Sequence, residues 1–80
     1  MHDLSDHQEN YEGLDLLFEF SDDSVYISFQ RPLSPEDPTD DAMEVILLAM
    51  LDNTWTDRQE AIAACREEAG RQLLEDGYLP

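Results

Sequence analysis

From Leu14 to Phe29 the chain alternates too regularly to be anything but a pair of strands. Leu14, Leu16, Phe18 and Phe20 recur at every second position, with Asp15, Leu17 and Glu19 between them. Ser21-Asp22-Asp23-Ser24 interrupts the pattern, and Val25-Tyr26-Ile27-Ser28-Phe29 resumes it. Period two sends successive side chains to opposite faces, so these residues predict an antiparallel β-hairpin closed by a four-residue loop. Pairing Phe20 with Val25 sets Phe18 opposite Ile27 and Leu16 opposite Phe29, which gives one wholly apolar face. Leu17 and Tyr26 fall on the other face beside Asp15 and Glu19.

The segments around the hairpin read differently. Residues 1–12 are polar without a sustained period and predict a flexible N-terminal arm ahead of a single domain over 13–80. Arg31 to Pro38 holds three prolines in eight residues, the composition of a stiff connector. Thr39 or Asp40 then offers a cap for a helix running to about Asp52, with Asp40, Asp41 and Glu44 in its first turns, where the helix dipole favours acid. The apolar run Val45–Leu51 would make that helix central. Thr56-Asp57-Arg58-Gln59 has the form of a capping box and opens another helix. Its core stripe is Ile62, Cys65, Ala69 and Leu73, and Gly77 is placed to stop it. The fold class expected is therefore α+β, a small ββαα unit with an antiparallel hairpin packed by two C-terminal helices. A two-stranded sheet has open edges that invite a second copy or a partner, so a homodimer is one option.

Several chemistries find no support. One cysteine, Cys65, allows neither an intramolecular disulfide nor a cysteine-rich zinc site, and suits a reducing cytoplasm. Cys65 lies on an apolar helix stripe beside Glu67 and Glu68, an environment for a core thiol rather than a nucleophile. His2-Asp3 and Asp6-His7 put four possible metal ligands within six residues, but a terminal arm supplies nothing to orient them. No glycine loop for phosphate and no calcium loop occurs. Trp55, between the expected helices, reads as a plug at the end of the core. The start of the chain lacks the basic and apolar regions of a signal peptide, and its longest apolar run is far shorter than the ~20 residues that span a bilayer. No enzyme, cofactor or metal centre is expected.

The charge points to a partner. Twenty Asp and Glu stand against four Arg and no Lys, a formal net charge of −16. Self-repulsion on this scale destabilises a compact domain. Anionic membranes and free nucleic acid would both repel it. Residues 1–44 carry −12 of the total and residues 45–80 only −4. In the last helix Glu67, Arg71 and Glu75 lie four apart and partly compensate one another. The uncompensated acid falls at Asp22 and Asp23 in the turn, Glu36 and Asp37 in the connector, Asp40, Asp41 and Glu44 at the expected helix start, and Asp15 and Glu19 on the outer hairpin face. Leu17 and Tyr26 among these acids have the make-up of an interface, an aromatic anchor inside a charged rim. Folding of the arm over them through Leu4 and Tyr11 is the alternative.

In size, charge and lack of a catalytic constellation, the chain resembles the small acidic inhibitors of phages and mobile elements. These DNA-mimic proteins include anti-CRISPR and anti-restriction proteins and the uracil-DNA glycosylase inhibitors. The resemblance covers composition and rests on no motif, so no family residue carries over. It implies a cytoplasmic, non-enzymatic protein that occupies the basic nucleic-acid channel of another protein. Sixteen charges match about 27 Å of duplex at one charge per ~1.7 Å. Two other readings fit the same composition: an immunity-type antitoxin or other acidic interaction module, and a small acidic domain adapted to high salt.

Overall fold

The structure, a computed structural model, describes residues 3–37 and 39–79. It is a four-stranded antiparallel sheet followed by one helix: β1 (His7–Tyr11), β2 (Leu14–Phe20), β3 (Ser24–Pro32), β4 (Met43–Asp52) and α1 (Arg58–Glu75). The strands stand in sequence order, β1-β2-β3-β4. The central hairpin has the register read from its alternation, with Phe20 opposite Val25, Phe18 opposite Ile27 and Leu16 opposite Phe29. The ββαα expectation is overturned at two places, both of which become strand.

The first is the expected helix over Thr39 to Asp52, which is β4. An apolar run of seven residues fits a buried helix or a strand equally well by period, and β-branched Val45 and Ile46 tilt it toward strand. What decides is β3, whose second edge has no other partner; β4 pairs along it from Ser24–Asp52 to Pro32–Met43. A bulge between Ile27 and Ser28 leaves Leu48 as the extra residue, so Leu48 and Ala49 are both half-buried in succession. Neither Thr39 nor Asp40 caps a helix. The Thr39 hydroxyl and amide donate to Asp37 Oδ1 at 2.7 and 3.0 Å, and the Ala42 amide donates to Asp40 Oδ1 at 3.0 Å. These turns, with the Leu33 amide on the Ala42 carbonyl at 2.9 Å, make the connector the loop of the β3–β4 hairpin. Pro32 ends β3 beyond Asp15–Gln30, the last β2–β3 pair, where a missing N–H costs little. Pro38 of the expected connector lies outside the described residues.

The second is the N-terminal arm. His7–Tyr11 pairs with β2 from His7–Phe18 to Tyr11–Leu14 across a two-residue turn. Glu12 (φ 53°) and Gly13 (φ 86°) both have positive φ, as a type I′ turn requires. Polar side chains conceal the strand, but His7, Glu9 and Tyr11 share its inner face and find partners there. The His7 ring stacks on Phe18 with centroids 5.7 Å apart, and Glu9 pairs with Arg66 of α1 at 2.5 Å. Met1 and His2 lie outside the described residues.

The helix predicted from the capping signal is present. Asp57 rather than Thr56 is its N-cap, accepting from the Gln59 amide at 3.0 Å. Ile62, Cys65, Ala69 and Leu73 are buried as expected, together with Ala61 and Gly70. Gly77, at φ 81°, ends the helix, and the Tyr78 amide reaches back to the Leu73 carbonyl at 2.9 Å. This stripe packs on Leu16, Phe18, Phe20, Val25, Ile27 and Phe29 to form the core. Trp55 packs against its margin. All of the core lies between α1 and one face of the sheet, leaving the opposite face uncovered.

Candidate functional site

The arginines settle where positive charge is spent. Arg66 grips Glu9 through both carboxylate oxygens at 2.5 and 2.8 Å. Arg31 pairs with Glu44 at 2.5 Å, and Arg71 holds Glu68 and Glu75, not Glu67. Arg58 lies 3.6 Å from Asp3, donates to the Asp3 and Ser5 carbonyls at 3.1 and 2.7 Å, and covers the Phe20 ring. All four guanidiniums are thus used within the fold, and fifteen of the twenty carboxylates have no arginine partner among the described residues. The pairing shows in the titration of the partners. Arg66 holds the Glu9 carboxyl below its usual range against the opposing effect of burial, and Arg71 does the same to Glu68. Asp37 is lowered by its hydrogen bonds from Thr39.

The expected acidic site residues fall into separate groups. Asp22 and Asp23 are exposed in the β2–β3 turn, beside the end of β4, where the Asn53 amide donates to the Asp23 carbonyl at 3.0 Å. Glu36, Asp37, Asp40 and Asp41 sit in the β3–β4 loop at the opposite end of the sheet. The nine residues of β3 separate the two groups by about 30 Å at ~3.3 Å per residue. Glu44 is taken up by Arg31. Asp15 and Glu19 lie on the uncovered face of the sheet with Leu17 and Tyr26, as the hairpin alternation requires. Leu4 and Tyr11 do not fold over them; both pack against the core on the other side.

The uncovered face holds a feature the sequence reading missed. With β4 a strand, Val45 lies across from Gln30, Leu47 from Ser28 and Met50 from Tyr26, all on the outer side. Val45, Leu47 and Met50 are 56%, 62% and 56% exposed, and Tyr26 is 44% exposed. Leu17 and Leu47 flank Ser28 on its two neighbouring strands. Between them Ser28 is buried, and its hydroxyl has no hydrogen-bond partner. The available signal was the β-branched start and strand-like length of the Val45–Leu51 run. Toward β1 the face turns polar, with Gln8 opposite Leu17 and Asn10 opposite Asp15. A shallow depression there is lined by Gln8, Asn10, Asp15, Leu17 and Gln30.

Among the described residues, no group of three or more His, Cys, Asp or Glu is arranged to hold a metal ion, and no helix is long and apolar enough to cross a membrane. His2 of the His2-Asp3 pair is outside the described residues. The Cys65 thiol is buried in the core, which pushes its pKa up to about 11. No protein-family model matches the chain, and neither the curated proteins nor the solved structures give a match.

Proposed function

We propose that this chain is a non-enzymatic inhibitor that occupies a basic nucleic-acid-binding site on another protein or complex. The observation that carries the reading is the state of its charges: every arginine is consumed internally, and fifteen carboxylates remain to meet an external cation. Carboxylates at the two ends and on one face of the sheet would pair with the Arg and Lys that otherwise hold phosphates. Opposite charge makes such an encounter fast and strongly salt-dependent.

The test is affinity capture from the host cell followed by competition with duplex DNA and with RNA. The bare chain should bind neither nucleic acid, whereas the captured partner should release it when either is added. Replacing Asp22/Asp23, Glu36/Asp37 and Asp40/Asp41 in pairs by Asn or Gln should weaken capture more than replacing Glu67, Glu68 and Glu75. A gel shift with bare nucleic acid, or a partner indifferent to nucleic acid, would refute the proposal.

A further inference from the structure

The edge strand β4 is unlike its counterpart at the other edge of the sheet. β1 is five residues long and polar, with its one acid, Glu9, tied to α1. β4 is ten residues long and carries no charge between Glu44 and Asp52, no proline and no glycine. Among the described residues it pairs only with β3, so one row of its backbone N–H and C=O groups has no strand partner there. Natural edge strands are normally blunted by lysine, proline, extreme shortness, an inward charge or a bulge. β4 has an inward acid only at its start, Glu44, and one bulge, at Leu48, with no lysine or proline along its ten residues. Its outer side chains Val45, Leu47 and Met50 continue an apolar patch with Leu17 and Tyr26. At its beginning lie Asp40 and Asp41, and at its end Asp52 with Asp22 and Asp23 close by.

We infer that β4 accepts an added strand: an extended segment of a basic protein, apolar at alternate positions in its middle and carrying Lys or Arg toward both ends. The middle would pair with the β4 backbone and widen the Val45–Leu47–Met50 surface, and the basic ends would meet the two acidic groups. Backbone pairing of this kind supplies affinity, and alternate side chains supply specificity. The charge layout selects against a second copy of the chain. In an antiparallel pairing of two β4 strands, Asp40 and Asp41 of one would face Asp22, Asp23 and Asp52 of the other. In a parallel pairing each acidic group would face itself. Like charges meet in both, while a basic strand meets opposite charge at both ends. The inference rests on the reading of the chain as an acidic binder of a basic protein, and it moves the centre of binding from the carboxylates to the strand between them.

The probe is a ten-residue capped peptide with alternating Val and Thr in the middle and two Lys at each end. Two controls accompany it, one with Glu in place of Lys and one with two central prolines. The Lys peptide should shift the backbone amide resonances of β4, and both controls should bind at least tenfold more weakly. Leu47→Glu adds an acid at an exposed position. Charge attraction alone would then bind the Lys peptide more tightly, whereas loss of the apolar docking surface should weaken it at least tenfold. Unchanged core amide resonances in the variant would show that it is folded. Equal binding of the proline peptide, or undiminished binding by Leu47→Glu, would overturn the inference. So would a dimer in light scattering whose β4 amides are protected from exchange, since a second copy would then fill the edge. The same variant separates this inference from the proposed function. A captured partner lost on Leu47→Glu but not displaced by duplex supports the strand site and sinks nucleic-acid mimicry. A partner displaced by duplex but retained by Leu47→Glu does the reverse.

Discussion

Gly70→Ala tests whether β1 is docked on the helix, because two terms of known sign compete there. An interior helical Gly→Ala exchange stabilises by about 1 kcal/mol when nothing is in the way. At Gly70 something is: an added Cβ would lie 2.7 Å from the Tyr11 hydroxyl oxygen and 3.2 Å from its Cζ. Tyr11 belongs to β1, pairs with Leu14 and packs on the core. Forcing it outward is an overpacking cost of about 1–3 kcal/mol. The sum is a net loss of roughly 0–2 kcal/mol, with each kcal/mol lowering the Tm by about 4–8 °C in a domain of this size. Tyr11→Phe removes the 2.7 Å contact and leaves the ring carbon, which a shift of a few tenths of an ångström relieves. In that background Gly70→Ala should be neutral or stabilising. The double-mutant cycle in urea should therefore return a coupling of about 1–2 kcal/mol. If Gly70→Ala stabilises by about 1 kcal/mol in both backgrounds, with the two changes additive within ~0.5 kcal/mol, Tyr11 is not against Gly70. Residues 7–11 would then be the loose arm that their polarity implies.

Three further outcomes follow from the charges and the core. Glu9→Gln should cost about 0.5–1 kcal/mol at pH 7. Because Arg66 lowers the Glu9 pKa in the folded state, that stabilisation is complete above the ordinary value of 4.5 and is lost as pH falls through the lower folded value. Urea denaturation of wild type and variant should accordingly converge below pH 4.5, and a gap that persists into stronger acid would rule out the ion pair as its source. The Cys65 thiol, buried and raised to about 11, should resist a thiol-specific disulfide reagent at pH 8 in the native protein and react at once in denaturant; fast native labelling would place it outside the core. Since a charge of −16 opposes folding, the Tm should climb with added NaCl, mostly below about 0.15 M, where the Debye length has already fallen to ~8 Å. A chain that is unfolded at 0.15 M and folds only near molar salt would instead fit the high-salt reading of its composition.

How far the sequence could be read depended on whether each element was held by its own side chains or by its neighbours. The β2–β3 hairpin was legible to the register because Leu16, Phe18 and Phe20 recur at every second position and Ser21–Ser24 marks the turn. The α1 stripe was legible because Ile62, Cys65, Ala69 and Leu73 follow helical spacing between an Asp57 cap and Gly77. β1 was not, since its inner residues are His7, Glu9 and Tyr11, whose burial depends on Phe18, Arg66 and Gly70, all of them distant in sequence. The positions of the acids relative to one another were not legible. Asp40 and Asp41 were assigned to a helix start that does not exist, and only the β3–β4 hairpin carries them to the far end of the sheet from Asp22 and Asp23.

The misreading of β4 and its exposed apolar face have one physical origin. A strand with one face in the core and one in water advertises itself by alternation, because its outer positions are polar. β4 fails to alternate since Val45, Leu47 and Met50 are apolar although they face outward. All the described core lies on the opposite side of the sheet, so within the chain these side chains meet only their cross-strand neighbours such as Tyr26 and stay more than half exposed. A run that looks like a buried element by composition but is half exposed in the folded chain is what the inferred strand addition would cover. On the strand addition inferred above, the added segment would also meet the uncompensated acid at both ends of β4.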